Sequence, residues 1–108
     1  MMVPQVSVTE LPDDAVILDV REQDEWDAGH APGAVHIPLG ELPSRLDELP
    51  DTDAATLAVV CRHGGRSARA AAWLAQQGFD VANLDGGMAA WHSAGKELVA
   101  AAGTASVK

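Results

Sequence analysis

Positive charge is scarce in this chain: 7 lysines and arginines stand against 16 aspartates and glutamates, a net charge of -9 over 108 residues. A surface of that sign repels nucleic acid and anionic membranes, so neither is an expected partner. Cysteine is scarcer still. Cys61 is the only one, which excludes an internal disulfide and a CxxC dithiol, and with them a self-contained dithiol redox enzyme; a single thiol suits a reducing compartment. No apolar run approaches the roughly 20 residues that cross a bilayer. The opening Met1-Met2-Val3-Pro4-Gln5 has neither the basic region nor the long apolar core of a signal peptide, and the expected residence is cytoplasmic. His30 and His36 lack metal-site spacing to the cysteine, so turn and strand roles are expected for them and no metal.

What is present is a globular composition, 47% hydrophobic and 21% charged, in a length that supports one domain around one core. No repeat or linker divides it. The expected domain covers residues 1–98, and residues 99–108, with little to bury, are expected to fray. The charge is unevenly spread. Residues 54–79 hold three arginines and no acid, while the remainder carries 4 basic and 16 acidic residues. The one positive patch coincides with Leu57-Ala58-Val59-Val60-Cys61-Arg62-His63-Gly64-Gly65-Arg66-Ser67. This stretch reads as a buried strand, a tight loop and the start of an alanine-rich helix capped by Ser67 or its neighbour. Gly64 and Gly65 allow positive φ, so the loop can curl its N–H groups inward at a helix N-terminus, above a thiol.

Along the rest of the chain, strands are expected within residues 3–8, 15–20, 34–38 and 81–84, with turns at Pro12-Asp13-Asp14, His30-Ala31-Pro32-Gly33 and Asp85-Gly86-Gly87. Residues 22–29 read as a short acidic helix closed by Gly29. Leu39, Leu42, Leu46 and Leu49 are spaced for one face of a helix with Pro43 in its first turn, and Pro50-Asp51-Thr52-Asp53 follows as a polar loop. The central helix runs over 67–77, with Ala70, Trp73, Leu74 and Gln77 on one face and Gly78 as its stop; a last helix covers 88–93. Strands alternating with helices make an α/β fold, a parallel sheet covered on both faces. Ligands on such sheets bind beyond the carboxyl ends of the strands, where Cys61 falls.

The ordered set of Leu18-Asp19-Val20-Arg21 with Glu25, Gly29-His30-Ala31-Pro32-Gly33-Ala34 with Ile37-Pro38, the cysteine loop, and Leu84-Asp85-Gly86-Gly87 with Trp91 resembles a rhodanese. The segments cover nearly the whole chain, as in a stand-alone single-domain rhodanese. The resemblance implies a single rhodanese-like domain with a five-stranded, mainly parallel sheet and helices on both faces. It also implies transfer of sulfane sulfur through a cysteine persulfide, by double displacement and with no cofactor. A small anionic donor such as thiosulfate would load Cys61, and cyanide or a cellular thiol would unload it; a protein could serve as donor or acceptor.

Cys61 is the candidate nucleophile. A helix N-terminus and adjacent cations can lower a thiol pKa to about 3.5–7.5, and Arg62 and Arg66 are fixed cations close by in sequence. The competing reading is a small buried hydrophobe. Arg66 is the first choice for binding the donor anion because its fork suits oxyanions, and Arg62 the second, each set against a solvated surface arginine. Arg69, one turn on, adds field. His63 is expected to shape the entrance, and Gly64, Gly65 and Ser67 to complete the cradle. Asp19 is expected to brace the loop by accepting backbone hydrogen bonds, and Arg21 to pair with Glu25. Trp26, Trp73 and Trp91 read as packing residues and His92 as exposed.

Three rival functions remain open here. For a phosphatase or arsenate reductase-like enzyme, protein tyrosine phosphatases and their rhodanese-fold relatives also set a thiolate beneath an arginine, but with five intervening residues where this chain has four, Arg62 to Gly65; the shorter loop suits one sulfur atom better than a phosphoryl group. A rhodanese-fold module could instead bind a protein or relay sulfur. A redox sensor at Cys61 would need a second thiol to resolve it.

Overall fold

The computed structural model describes residues 3–12, 15–50, 56–101 and 103–108. Five strands, β1 (Gln5–Val6), β2 (Ile17–Asp19), β3 (Val35–His36), β4 (Leu57–Val60) and β5 (Val81–Leu84), alternate with α1 (Gln23–Ala28), α2 (Gly65–Gln76) and α3 (Gly87–Ser93). The sheet order is β1-β5-β4-β2-β3 and every pair is parallel. This is the α/β class and the five-stranded sheet that the sequence implies. The expected turn at Asp13-Asp14 and the polar loop at Asp51-Thr52-Asp53 lie outside the described residues.

All four residues of β4 are buried, because the strand sits between β5 and β2 with helices on both sides. Its side chains alternate between two clusters, as strand geometry requires. Leu57, Val59 and Cys61 join Ala70, Ala71 and Leu74 of α2 together with Leu42. Ala58 and Val60 join Met88 and Trp91 of α3 with Val8 and Leu11. Cys61 thus faces α2, the helix that its own loop starts.

The α2 stop is as expected. Gly78 has φ of 95°, its N–H donates to the Ala75 carbonyl at 3.1 Å, and the Phe79 N–H donates to the Leu74 carbonyl at 3.1 Å. These two bonds satisfy carbonyls that the helix end leaves free. Of the face predicted for this helix, Ala70 and Leu74 are buried and Trp73 packs against the core, whereas Gln77 is exposed.

One predicted element differs in type, and another ends for a different reason. The helix expected over residues 39–49 is instead a pair of 3-10 segments, Leu39–Ser44 and Leu46–Glu48. Pro43 is the fifth residue of the first segment; in an α-helix its ring would clash with the Leu39 carbonyl and it has no N–H to donate there. The leucine face survives the change, since Leu42 is buried and Leu39, Leu46 and Leu49 pack against the same core cluster. Gly29 does end α1, but with φ of 168°, an extended conformation open to any residue. Glycine is needed there for space: a Cβ would lie 2.3 Å from the Ser106 carbonyl oxygen.

That contact is one of several made by the described residues of the C-terminal segment. Val99 and His30 exchange backbone hydrogen bonds at 2.9 Å, and the Ser106 N–H donates to the Ala28 carbonyl at 2.9 Å. Val107 packs against the α3-side cluster, and the Lys108 ammonium lies 2.7 Å from Asp24 in an exposed pair. No helix among the described residues is long and apolar enough to cross a membrane.

Candidate active site

β4 ends in the core and Cys61 follows it, 1% exposed. The chain then reverses over the sulfur. Gly64 adopts φ of 108°, a conformation costly for any residue with a Cβ, and this points its N–H at Cys61 Sγ, 3.1 Å away. Helix α2 begins at Gly65, so Ser67 is its third residue; it is buried, and its hydroxyl lies 3.3 Å from the same sulfur. Burial pushes the Cys61 thiol pKa up, but hydrogen bonds from the Ser67 hydroxyl and from the backbone of Ser67, Gly64 and His63 outweigh it and leave the pKa below its ordinary value. The result is a sulfur at the floor of an inward-facing amide cradle at a helix N-terminus, an arrangement that stabilises negative charge.

The loop is also held from behind. The Met88 N–H donates to the Cys61 carbonyl at 2.7 Å, and the Ala89 N–H donates to the Arg62 carbonyl at 2.9 Å, so the first turn of α3 supplies two donors to the loop backbone. This approach requires Gly87, where φ is 57° and a Cβ would come within 2.3 Å of the Cys61 oxygen. Beneath the loop, the Asn83 side chain donates from Nδ2 to the Gly64 carbonyl at 3.3 Å and to Gln5 Oε1 at 3.0 Å, while its Oδ1 accepts from the Ser67 hydroxyl.

The rim is charged. Arg62 and His63 are exposed. Arg66 reaches from α2 to α1, where its two terminal nitrogens donate to the Glu25 carboxylate at 2.6 and 2.9 Å. The pairing holds the Glu25 carboxyl below its ordinary pKa against a smaller opposing effect of burial, and raises that of Arg66.

A sequence model described as a rhodanese-like domain matches residues 7–94. The chain belongs to the rhodanese-like family. It is 46% identical over 76 residues to the sulfur-carrier candidate YrkF of Bacillus subtilis, covering 69% of this chain and 40% of that protein. It is 39% identical over 82 residues to the sulfurtransferase candidate YtwF of the same organism, covering 76% of this chain and 78% of that one. A rhodanese-related protein from Thermoplasma volcanium superposes with a TM-score of 0.80 at 30% identity, over 89% of this chain and 97% of the other.

Within this rhodanese-like domain, several expected roles fall on other residues. Asp19 does not reach the cysteine loop. Its carboxylate accepts from Nε of Arg21 at 3.0 Å, from Nη2 at 2.8 Å and from the Arg21 backbone N–H at 3.0 Å, in a pair with no solvent exposure. Arg21 pairs with Asp19 and not Glu25, because its side chain lies in the interior and spans to the Gly29 carbonyl, 2.7 Å from Nη2. The pair therefore ties the end of β2 to the end of α1, and the Arg21 charge helps hold the Glu25 carboxyl low. Hydrogen bonds, more than the arginines, lower the Cys61 pKa. Gly64 and not Ser67 caps α2, and the Ser67 hydroxyl lies instead between the sulfur and Asn83 Oδ1. His36 Nε2 donates to the Arg21 carbonyl at 2.8 Å and His30 Nδ1 to the Trp26 carbonyl at 2.9 Å; both rings stack on Trp26, so both have the structural roles expected. Among the described residues no cluster of His, Cys, Asp and Glu could hold a metal.

The sequence reading of the rhodanese-like domain missed Asn83 and the α3 amides. Asn83 carried a signal: it is the one polar side chain inside Val-Ala-Asn-Leu, a strand buried at every position. Gly86-Gly87 announced a close approach without saying to what.

Proposed function

We propose that this rhodanese-like domain is a sulfurtransferase that carries sulfane sulfur as a persulfide on Cys61. The observation that supports it best is the buried Sγ with an N–H at 3.1 Å and a hydroxyl at 3.3 Å, a site built for a sulfur anion. With thiosulfate as donor, the Cys61 thiolate attacks the outer sulfur, the sulfur–sulfur bond breaks, and sulfite leaves with the bonding pair. Cys61 then holds a persulfide anion. Cyanide or a thiolate attacks its terminal sulfur, giving thiocyanate or a new persulfide and regenerating the Cys61 thiolate. Both displacements balance in atoms and charge, and neither needs a proton carrier. The cradle of His63, Gly64 and Ser67 amides stabilises the anion in each state. Arg66 binds an anionic donor by sharing its fork with Glu25, and Arg62 and His63 line the approach. Because the related YrkF is named for sulfur carriage, a protein donor or acceptor fits the exposed side of this rim as well as a small molecule does.

Incubating the reduced protein with thiosulfate and weighing it intact should show one added sulfur atom that cyanide removes. Cys61→Ser should show none. Turnover of an aryl phosphate that depends on Cys61, without sulfur uptake, would replace this reading by a phosphatase.

A further inference from the structure

The Ser67 hydroxyl has one hydrogen and two acceptors within reach, Cys61 Sγ at 3.3 Å and Asn83 Oδ1. It can donate to only one at a time. The Asn83 amide is not free to turn and yield. Its Nδ2 donates to the Gly64 carbonyl, a group that only accepts, and to Gln5 Oε1, which fixes Oδ1 toward Ser67. Cys61, Ser67 and Asn83 are 1%, 0% and 3% exposed, so water does not stand in for a missing donor.

We propose that Asn83 is a positioning residue that competes with Cys61 for the Ser67 hydrogen and so sets how readily the cysteine becomes a thiolate. While Cys61 is a thiol, the hydroxyl points to Asn83 and its oxygen can accept from S–H. When the thiol proton leaves to solvent base, the hydroxyl turns to the sulfur and Asn83 Oδ1 loses its partner. No bond to hydrogen breaks at Ser67; the hydroxyl only rotates. The thiolate therefore forms at the cost of an unsatisfied buried acceptor. The charged and titratable groups around the site are Arg62, His63 and Arg66 on the loop and α2, Glu25 on α1, the Asp19–Arg21 pair at the end of β2 and Asp85 after β5; none of their side chains hydrogen-bonds the sulfur or the Ser67 hydroxyl, and His63 acts on the sulfur only through its backbone.

The proposal rests on Cys61 as the sulfur-transfer nucleophile, but its test uses no sulfur donor, so failure of persulfide loading leaves the outcome readable. The rate of iodoacetamide alkylation of Cys61 is measured against pH. Asn83→Leu should lower the midpoint by about half to one pH unit, because the hydroxyl is no longer contested. In a Ser67→Ala background the same substitution should shift it by less than a third as much. Equal shifts in both backgrounds, or none in the native one, would overturn the proposal and leave Asn83 as a support for Gly64. Should Asn83→Leu fail to fold, the native protein still decides: the Asn83 side-chain amide resonances should titrate with the Cys61 midpoint, with their amplitude cut by more than half in Ser67→Ala. An amplitude unchanged by Ser67→Ala would overturn it equally.

Discussion

Arg66 meets Glu25 with both terminal nitrogens, and the carboxylate side chain is 14% exposed against 35% for the guanidinium. The cation nearest the proposed donor is thus already half-neutralised. Glu25→Gln should free it, lowering the KM for thiosulfate a few-fold, equivalent to about 1 kcal/mol, while a neutral trisulfide donor shows no change. Equal effects on both donors would mean that the pair shapes the loop and does not select charge. The same variant carries a pH signature. Because the folded-state pKa of Glu25 lies below its ordinary value, the unfolded chain binds the proton first as pH falls; the pair's contribution is complete above the ordinary carboxylate range and is lost as pH drops through the folded value. Thermal melts below about pH 4.5 should therefore fall more steeply for the native protein than for Glu25→Gln. In the sequence, Glu25 looked like a local partner for Arg21. A pair 41 residues apart leaves no spacing to read, so the swap between Arg21 and Arg66 became visible only when α1 and α2 were placed together.

At the scale of elements, the cysteine loop is held at two ends: by the helix that it starts, and by the helix that follows the next strand. Its own helix was legible, because an apolar strand, two glycines and an alanine run specify strand, tight turn and helix locally. The brace from α3 was not, since the donors are backbone amides of Met88 and Ala89 and backbone carries no residue signature. Gly87 is its one trace. Gly87→Ala places a methyl group 2.3 Å from the Cys61 oxygen at φ of 57°. It should destabilise the fold by about 2–4 kcal/mol, the sum of left-handed strain and displacement of packed backbone. A urea titration reads that loss, and slower alkylation of Cys61 in the still-folded variant would show that the loop has shifted. A drop below about 0.5 kcal/mol would mean that α3 is not bracing the loop. The 39–49 segment teaches a complementary point. Leucine spacing correctly named the buried face, while Pro43 decided the type of helix.

For the whole molecule, an acidic body carries a basic mouth. The net charge is -9, and the longest dimension is 38 Å. At an ionic strength of about 0.01 M the Debye length, roughly 30 Å, lets an approaching dianion feel the entire surface; at about 0.1 M it is roughly 10 Å and only the rim counts. Persulfide formation from thiosulfate should therefore speed up between those two concentrations and slow again toward 1 M, as the rim is screened in turn. A monotonic fall would place control with the rim alone. The architecture itself was readable because alternating elements, one domain length and continuous apolar strands all follow from composition and pattern, whereas the pairing of the first strand with the last does not. β1 lies beside β5, and Gln5 of the first strand completes the Asn83 anchor under the loop. That adjacency has a consequence in time. During synthesis Cys61 emerges well before Asn83, Gly87 and Met88, and the sheet that unites them with Gln5 contains only long-range, parallel pairings, the slowest kind to form. Until that pairing forms, the Asn83 amide has no Gln5 to hold it, so the anchor under the loop is completed only when β1 docks on β5.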